Sequence, residues 1–135
     1  MEIPNGCYRT SIKALILDKD KKFLLIKEDN GLWELPGGAM DFGENYEQTL
    51  IREIREEMGL QVIEVANNPS YFTSFQNQRG TWTTNIIFET KVKDLNFVKT
   101  TECVEIGFFD RDLVKLVNIS PGTVSYLEKF DPSRH

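Results

Sequence analysis

Three glutamates near the middle of the chain, Glu53, Glu56 and Glu57, have the spacing at which a helix brings side chains together. Residues three and four positions apart are neighbours on a helix surface, with their Cβ atoms about 5–6 Å apart. The spacing therefore predicts one anionic cluster, and the repulsion within it favours a bound cation. Carboxylate oxygens suit Mg²⁺ and Mn²⁺, which also coordinate phosphates. The alternative is a solvated helix face, in which Arg52 pairs with Glu56.

The loop before the glutamates supplies further oxygen ligands. Gly37 and Gly38 follow a proline, and Gly43 and Glu44 lie just before the start of the predicted helix. Glycines let the backbone turn tightly, so we expect this loop to bring a backbone carbonyl and a carboxylate close to the glutamate face. A glycine loop before a helix is also an ordinary connection between two elements. It is the combination with the glutamates that favours a metal site.

The histidine content narrows the chemistry. The only histidine is His135, the last residue, and chain ends usually fray. Catalysis by Ser-His-Asp or Cys-His groups and zinc binding by histidines are therefore disfavoured. The chemistry must use carboxylates, hydroxyls, Lys, Arg or a metal ion.

The charge and the hydropathy pattern exclude several kinds of partner. The formal net charge of −5 disfavours nucleic acid, whose binding depends on clustered Lys and Arg. A divalent cation held by acidic residues would still let an acidic surface bind a small phosphate compound. No apolar run has the length of a secretory signal or a membrane span. We therefore expect a cytoplasmic protein with Cys7 and Cys103 as free thiols and no membrane partner, and a homodimer stays open.

A helix that would position the glutamates is predicted from Asn45 to Met58. Asn45 is a suitable N-cap, and Gln48 stands at the third helical position, where it completes a capping arrangement. Gly59 is a natural end, because glycine adopts a left-handed conformation without strain. The apolar stripe that faces the core recurs every four residues and consists of Tyr46, Leu50, Ile54 and Met58.

The rest of the chain consists mainly of strand patterns. Alternation in the first strand places one face toward the core, namely Tyr8, Thr10, Ile12, Ala14 and Ile16. Strands are predicted over residues 8–17, 23–27, 32–35, 62–66, 71–76, 83–92 and 104–109. A second helix begins after Ser120 and extends to about Phe130, with a shorter one within residues 110–117. This order predicts an α+β fold with a mixed sheet between helices, built as one domain over residues 1–135.

The segment from Gly38 to Leu60 resembles the signature of the Nudix family. Every specified position of the Nudix box is matched by Gly38, Glu44, Arg52-Glu53, apolar Ile54, Glu56-Glu57, Gly59 and apolar Leu60. The residues from Trp33 to Gly37 also resemble the approach to the box that is usual in this family. The box covers about a sixth of the chain. The resemblance implies the Nudix-type α/β/α sandwich.

The resemblance also implies a binding site for Mg²⁺ or Mn²⁺, whose ligands would be Glu53, Glu56, Glu57 and the Gly38 carbonyl. Arg52 and Glu44 would form a supporting ion pair that fixes the loop against the helix. We expect Arg52 to point away from the glutamates by one helical step, so that its role and that of Glu44 are structural.

The implied reaction is hydrolysis of the diphosphate linkage of a nucleoside diphosphate-X compound, in which water attacks phosphorus in line. Nucleoside triphosphates and ADP-ribose are the leading substrates. A carboxylate would take the proton of the attacking water. Glu56 is one candidate for this role. In several family members a glutamate outside the box has it instead, and Glu102 or Glu105 could supply that glutamate here. The predicted catalytic carboxylates are Glu53, Glu56 and Glu102.

Substrate contacts are less visible in the sequence. Arg79 and Lys27 are candidate phosphate contacts, although lone cations are usually solvated. The aromatic residues that could stack on a base are more often packing residues, and they are Trp33, Phe42, Tyr46, Phe72, Phe75 and Trp82. Two other functions stay open: a catalytically silent Nudix-fold regulator that binds nucleotides, and an RNA 5′-end pyrophosphohydrolase. The intact glutamate set argues against the first, and the lack of a basic channel argues against the second.

Overall fold

The computed structural model describes residues 6–135, and within this range it contains eight strands and two α-helices. The strands are β1 (Arg9–Leu15), β2 (Phe23–Lys27), β3 (Trp33–Glu34), β4 (Gly37–Ala39), β5 (Val62–Val65), β6 (Tyr71–Gln76), β7 (Trp82–Val92) and β8 (Glu105–Phe109). The helices are α1 (Tyr46–Met58) and α2 (Pro121–Leu127), with 3-10 turns at Leu113–Leu116 and Pro132–Arg134. The predicted order of strands, helix, strands and helix is therefore confirmed.

The long strand β7 lies at the centre of the larger sheet. It pairs in parallel with β1 on one side, and it pairs antiparallel with β6 and β5 on the other. Strand β4 adds antiparallel to the free edge of β1. A smaller antiparallel sheet has β2 between β3 and β8. A bridge between Leu17 and Phe23 connects the two sheets at the turn that joins β1 to β2.

Apolar side chains form one core on each side of the strands. On the first side, the α1 residues Leu50, Ile54 and Met58 pack with Ile12 and Ala14 of β1. On the second side, the core surrounds Tyr126 of α2 and includes Leu15, Phe23, Leu25, Ile87 and Phe130. The predicted arrangement of a mixed sheet between helices is confirmed.

Both ends of α1 are those that the sequence predicts. The Asn45 side chain accepts the backbone N–H of Gln48 at 2.9 Å, and the Gln48 side chain accepts the backbone N–H of Asn45 at 3.0 Å. Gly59 ends the helix with φ 67°, and its N–H donates to the Arg55 carbonyl at 2.8 Å. These bonds satisfy backbone groups that the helix itself leaves unpaired, so the ends of α1 are well defined.

Two predictions about the strands are wrong. The alternation in β1 predicted one buried face, but residues 11–15 are all buried because packed elements cover both faces of the sheet. The segment Gly37–Ala39, predicted as part of a loop, is strand β4 and pairs with residues 11–13. The consequence is that β4 is the edge strand of the larger sheet and contacts α1, which fixes its backbone next to the glutamates.

The C-terminal residues differ from their prediction as well. Helix α2 ends at Leu127, short of Phe130. His135 does not fray: its side chain is 5% exposed, and its Nε2 lies 2.8 Å from the Tyr71 hydroxyl. The imidazole ring also stacks on Phe130 with ring centroids 5.9 Å apart. The Nδ1 atom of His135 lies beside a carboxylate oxygen of Glu89, so the ring is held by Tyr71, Phe130 and Glu89.

The cysteines and helices give two further observations. Cys7 is exposed, Cys103 is buried, and both are free thiols as predicted. None of the helices within residues 6–135 combines the length and the apolar content that crossing a membrane requires.

Candidate active site

A cavity of about 440 Å³ opens beside β1, α1 and the start of α2. Acidic residues dominate one end of its lining, with Glu53, Glu57 and Glu102 among them. The rest of the lining includes the buried Lys13 and Asn85 and the aromatic ring of Phe75. The cavity therefore combines a cluster of carboxylates with buried polar groups and an aromatic ring, which suits a ligand that has both a charged part and an aromatic part.

The structure brings three carboxylates together at the acidic end. One oxygen of each of Glu53, Glu57 and Glu102 lies within 4.8 Å of the others. Glu57 is 4% exposed and Glu53 is half-buried, whereas Glu102 is exposed at the rim. Such a set of hard oxygen donors fits a divalent cation, because close carboxylates repel one another and a cation offsets that repulsion.

The Glu57 side chain is buried, although a glutamate carboxylate is normally ionised and exposed to water. Its Oε1 accepts the backbone N–H of Gly37 at 2.8 Å, which ties α1 to strand β4. Burial raises the pKa of Glu57 well above its usual value, and the positive charge of Lys13 and the Gly37 N–H counteract part of that rise. A cation beside the carboxylate would stabilise its ionised form further.

Lys13 is a buried cation that the sequence analysis did not single out. Its Nζ donates to the carbonyls of Leu35 and Gly37 at 3.2 and 3.1 Å and lies 3.7 Å from Glu34. Burial lowers the pKa of Lys13, but Glu34 and Glu57 outweigh this effect, so the pKa is raised and the ammonium is retained. Lys13 thereby holds the backbone that leads into β4. A lysine between the apolar Ile12 and Ala14 was the available sequence signal.

The position of the Glu53 carboxylate depends on Gly38, which has no side chain. A Cβ built on Gly38 would lie 2.7 Å from Glu53 Cδ and 2.8 Å from each carboxylate oxygen. Gly38 therefore leaves the space that the Glu53 carboxylate occupies. Burial raises the pKa of Glu53, whereas Arg52, whose Nη1 donates to Glu53 Oε1 at 2.9 Å, lowers it.

Arg52 connects the preceding loop to the glutamates. It donates to both oxygens of Glu44, at 2.8 and 2.9 Å, and to the Ala39 carbonyl at 3.0 Å. The bonds from Arg52 lower the pKa of Glu44 to about 2, and Glu44 in turn raises the pKa of Arg52. The expectation that Arg52 points away from the glutamates is wrong, because its guanidinium contacts Glu53 and Glu56 directly.

Two of the predicted carboxylates lie outside this group of three. The Glu56 side chain is 54% exposed, and its Oε2 accepts from Arg52 Nη1 at 3.3 Å. Arg52 therefore holds Glu56 beside Glu53 at the rim of the site. Glu105 is 59% exposed and pairs with Lys27 at 3.8 Å.

Glu102 reaches the helix glutamates because its segment is bonded to the end of α1. The Val98 N–H donates to the Met58 carbonyl at 2.8 Å, and the Thr100 hydroxyl donates to the Glu57 carbonyl at 2.7 Å. Both acceptors are among the last carbonyls of the helix, which have no partner within it. The two bonds position residue 102 over Glu57.

Only some of the residues predicted to contact the substrate line the cavity. Arg79 and Phe75 line the cavity, whereas Lys27 does not. Tyr46 stacks on Phe88, with ring centroids 4.3 Å apart, and Trp33 packs edge-on against Phe109. The remaining aromatic candidates are exposed and outside the cavity lining: Phe42, Phe72 and Trp82.

A family model described as NUDIX domain matches residues 8–130, nearly the whole chain. An ADP-ribose pyrophosphatase of Methanocaldococcus jannaschii is 49% identical over 49 residues, which are 33% of this chain and 29% of that protein. A CTP pyrophosphohydrolase of Escherichia coli is 38% identical over 55 residues, 37% of this chain and 41% of that protein. The matched segments thus span less than half of each of these curated relatives.

Among solved structures, the crystal structure of a MutT protein from Methanosarcina mazei is similar over nearly its full length. The TM-score is 0.80, with 98% of this chain and 99% of that chain covered, at 21% sequence identity. At this identity the likeness establishes the fold alone.

Proposed function

Because the chain belongs to the Nudix family, we propose that it is a metal-dependent hydrolase of nucleoside diphosphate-X compounds. The observation that carries the proposal is the meeting of Glu53, Glu57 and Glu102 at one end of the cavity. The named activities of the relatives, on ADP-ribose and on CTP, agree with a nucleotide-like small molecule as substrate. Nucleoside triphosphates and ADP-ribose-like compounds are accordingly the proposed substrates.

The proposed ligands of Mg²⁺ or Mn²⁺ are Glu53, Glu57 and Glu102, with Glu56 and the Gly38 carbonyl completing the set. Bound there, such a cation would neutralise charge on the diphosphate and lower the pKa of a nearby water. Arg52 would keep Glu53 and Glu56 in place, because its Nη1 donates to both carboxylates. Lys13 would hold the Leu35 and Gly37 carbonyls, so that β4 and the Gly38 carbonyl keep their position.

A carboxylate oxygen of the chain would take the proton of the attacking water. The exposed carboxylates at the rim, Glu56 and Glu102, are the two proposed bases, and Glu53 is the third proposed catalytic carboxylate. We do not propose Glu105 as a base, because its carboxylate is paired with Lys27 outside the group of three. We further propose that residues 1–135 act as one Nudix domain in the cytoplasm.

The test is a panel of nucleoside triphosphates, nucleoside diphosphates and ADP-ribose, assayed with Mg²⁺ or Mn²⁺ and again with excess chelator. We expect turnover of at least one compound only when metal is present, with the diphosphate linkage cut and both products identified by chromatography. Triphosphorylated RNA is included at matched concentration, and faster turnover of it than of any free nucleotide would favour the RNA 5′-end alternative. Nucleotide binding without turnover at any metal concentration would favour the silent regulator.

A further inference from the structure

One face of the larger sheet changes from apolar to polar along β1 and β7. Residues two apart in a strand share a face. On the side of α2, Leu15 of β1 and Ile87 of β7 belong to the core. Farther toward the start of each strand, Ser11 and Asn85 are paired neighbours on that face, and both line the cavity. Ser11 and Asn85 therefore form a polar floor of the cavity, and this floor begins where the second core ends.

Asn85 is the member of this floor whose side chain is not satisfied by the protein. It is 3% exposed, and its Oδ1 has no hydrogen-bond partner among residues 6–135. Nearby hydroxyls are already used: Thr123 donates to the Trp33 carbonyl, and Ser120 and Thr123 bond each other. A buried amide offers both a donor and an acceptor, and leaving one unpaired is unfavourable. Asn85 lines the cavity, so a ligand bound there would lie next to its amide.

An aromatic ring lies next to this amide. The Phe75 ring lines the same cavity, and Gly122 packs against both groups. A Cβ built on Gly122 would lie 2.9 Å from Phe75 Cζ and 3.1 Å from Asn85 Nδ2, so any larger residue would push into this end of the cavity. An aromatic ring can stack on a nucleobase, and an amide beside it can form hydrogen bonds with the edge of the same base.

The distance to the glutamates fits a nucleotide. Gly37, whose N–H binds Glu57, is paired with Lys13, and Lys13 is two residues from Ser11, the neighbour of Asn85. Gly37 and Asn85 are thus separated by two strand spacings across the sheet and by two residues along the strands. Their Cα atoms therefore lie about 12 Å apart. A ribose would occupy the space between a base at Asn85 and a diphosphate at the glutamates.

Building on the proposed function, we propose that Asn85 is a specificity-determining residue that hydrogen-bonds the edge of a nucleobase lying against Phe75. The ligand class is a nucleotide whose base presents a hydrogen-bond donor and an acceptor side by side, which the Asn85 amide matches with its own pair. The phosphates of the same molecule extend toward Glu53 and Glu57.

The variants that test Asn85 are Asn85→Ala and the nearly isosteric Asn85→Asp, which keeps the volume and removes the amide donor. Thr84→Ala is the matched control, because Thr84 lies on the opposite face of β7 and its hydroxyl contacts Ser74. Binding of AMP, GMP, CMP and UMP is measured by calorimetry in excess chelator, so that this readout does not depend on a metal or on hydrolysis. The melting temperature of each variant checks that it is folded.

We expect the wild type and Thr84→Ala to rank the four bases alike and to prefer one of them. In Asn85→Ala the affinity for that base should fall about 10- to 100-fold, the effect of losing one or two hydrogen bonds, while the other bases change little. An unchanged ranking in both Asn85 variants, or a wild type without preference, would overturn the inference. Asn85-dependent ranking in a protein that hydrolyses nothing would leave the inference standing and remove the proposed hydrolase function.

Discussion

Replacing Glu57 with Gln should lower kcat/KM for the best substrate by about 1000-fold or more, because the site loses its most buried negative charge. The fold should survive, since the Gln carbonyl oxygen can still accept the Gly37 N–H that now binds Glu57 Oε1. Burying a neutral amide also costs less than burying a carboxylate, so the melting temperature should not fall. Steady-state kinetics and thermal unfolding of the purified variant measure both expectations.

Glu105→Gln is the matched control for this prediction. Glu105 is an exposed glutamate close in sequence to Glu102, but its carboxylate pairs with Lys27 rather than with the group of three. Its replacement should leave kcat/KM within about twofold of the wild type, as expected for a surface ion pair of small energetic value. Equal activities for the Glu57 and Glu105 variants would remove Glu57 from the proposed site.

The second large effect concerns the adjacent glycines, which should respond differently to the same substitution. Gly37→Ala should reduce the free energy of unfolding by about 3 kcal/mol or more, through a left-handed backbone and a steric clash. Gly37 has φ 120°, and its added Cβ would lie 2.1 Å from the Ile12 carbonyl oxygen, a backbone atom that cannot move aside cheaply. Urea denaturation measures this loss.

Gly38→Ala should instead affect turnover more than stability. The three atoms nearest to its added Cβ all belong to the Glu53 carboxylate, which is the end of a flexible side chain and can swing away. Displacing that carboxylate should lower kcat/KM by about 100-fold, a typical cost of misplacing a ligand group. A Gly38 variant with full activity would show that Glu53 need not occupy its observed position. Loss of stability equal to that of Gly37→Ala would show that β4 tolerates neither change.

Local signals explain which parts of the fold could be predicted. Both ends of α1 follow from Asn45, Gln48 and Gly59, because capping depends on residues close in sequence. The bounds of β2 and β6 likewise follow from local apolar and alternating patterns. The short strand β4 could not be predicted, because its pairing with β1 is a long-range contact and its two glycines give no strand pattern.

The site could be predicted only in part, for a similar reason. The helical spacing predicts the same surroundings for Glu53, Glu56 and Glu57. It is tertiary packing that buries Glu57 and leaves Glu56 exposed. Glu102 joins Glu53 and Glu57 through bonds from its segment to the end of α1, which no sequence pattern encodes. Nothing in the sequence distinguishes Asn85 from the other polar residues of β7, because its burial depends on neighbouring strands and α2.

The most direct test of the proposed metal site is a Mn²⁺ titration followed by electron paramagnetic resonance, without any nucleotide. The wild type and Glu105→Gln should bind Mn²⁺ alike, whereas Glu53→Gln, Glu57→Gln and Glu102→Gln should each weaken binding by about 10-fold or more. Identical binding by all five folded proteins, or no binding by the wild type, would contradict a cation site formed by these three carboxylates.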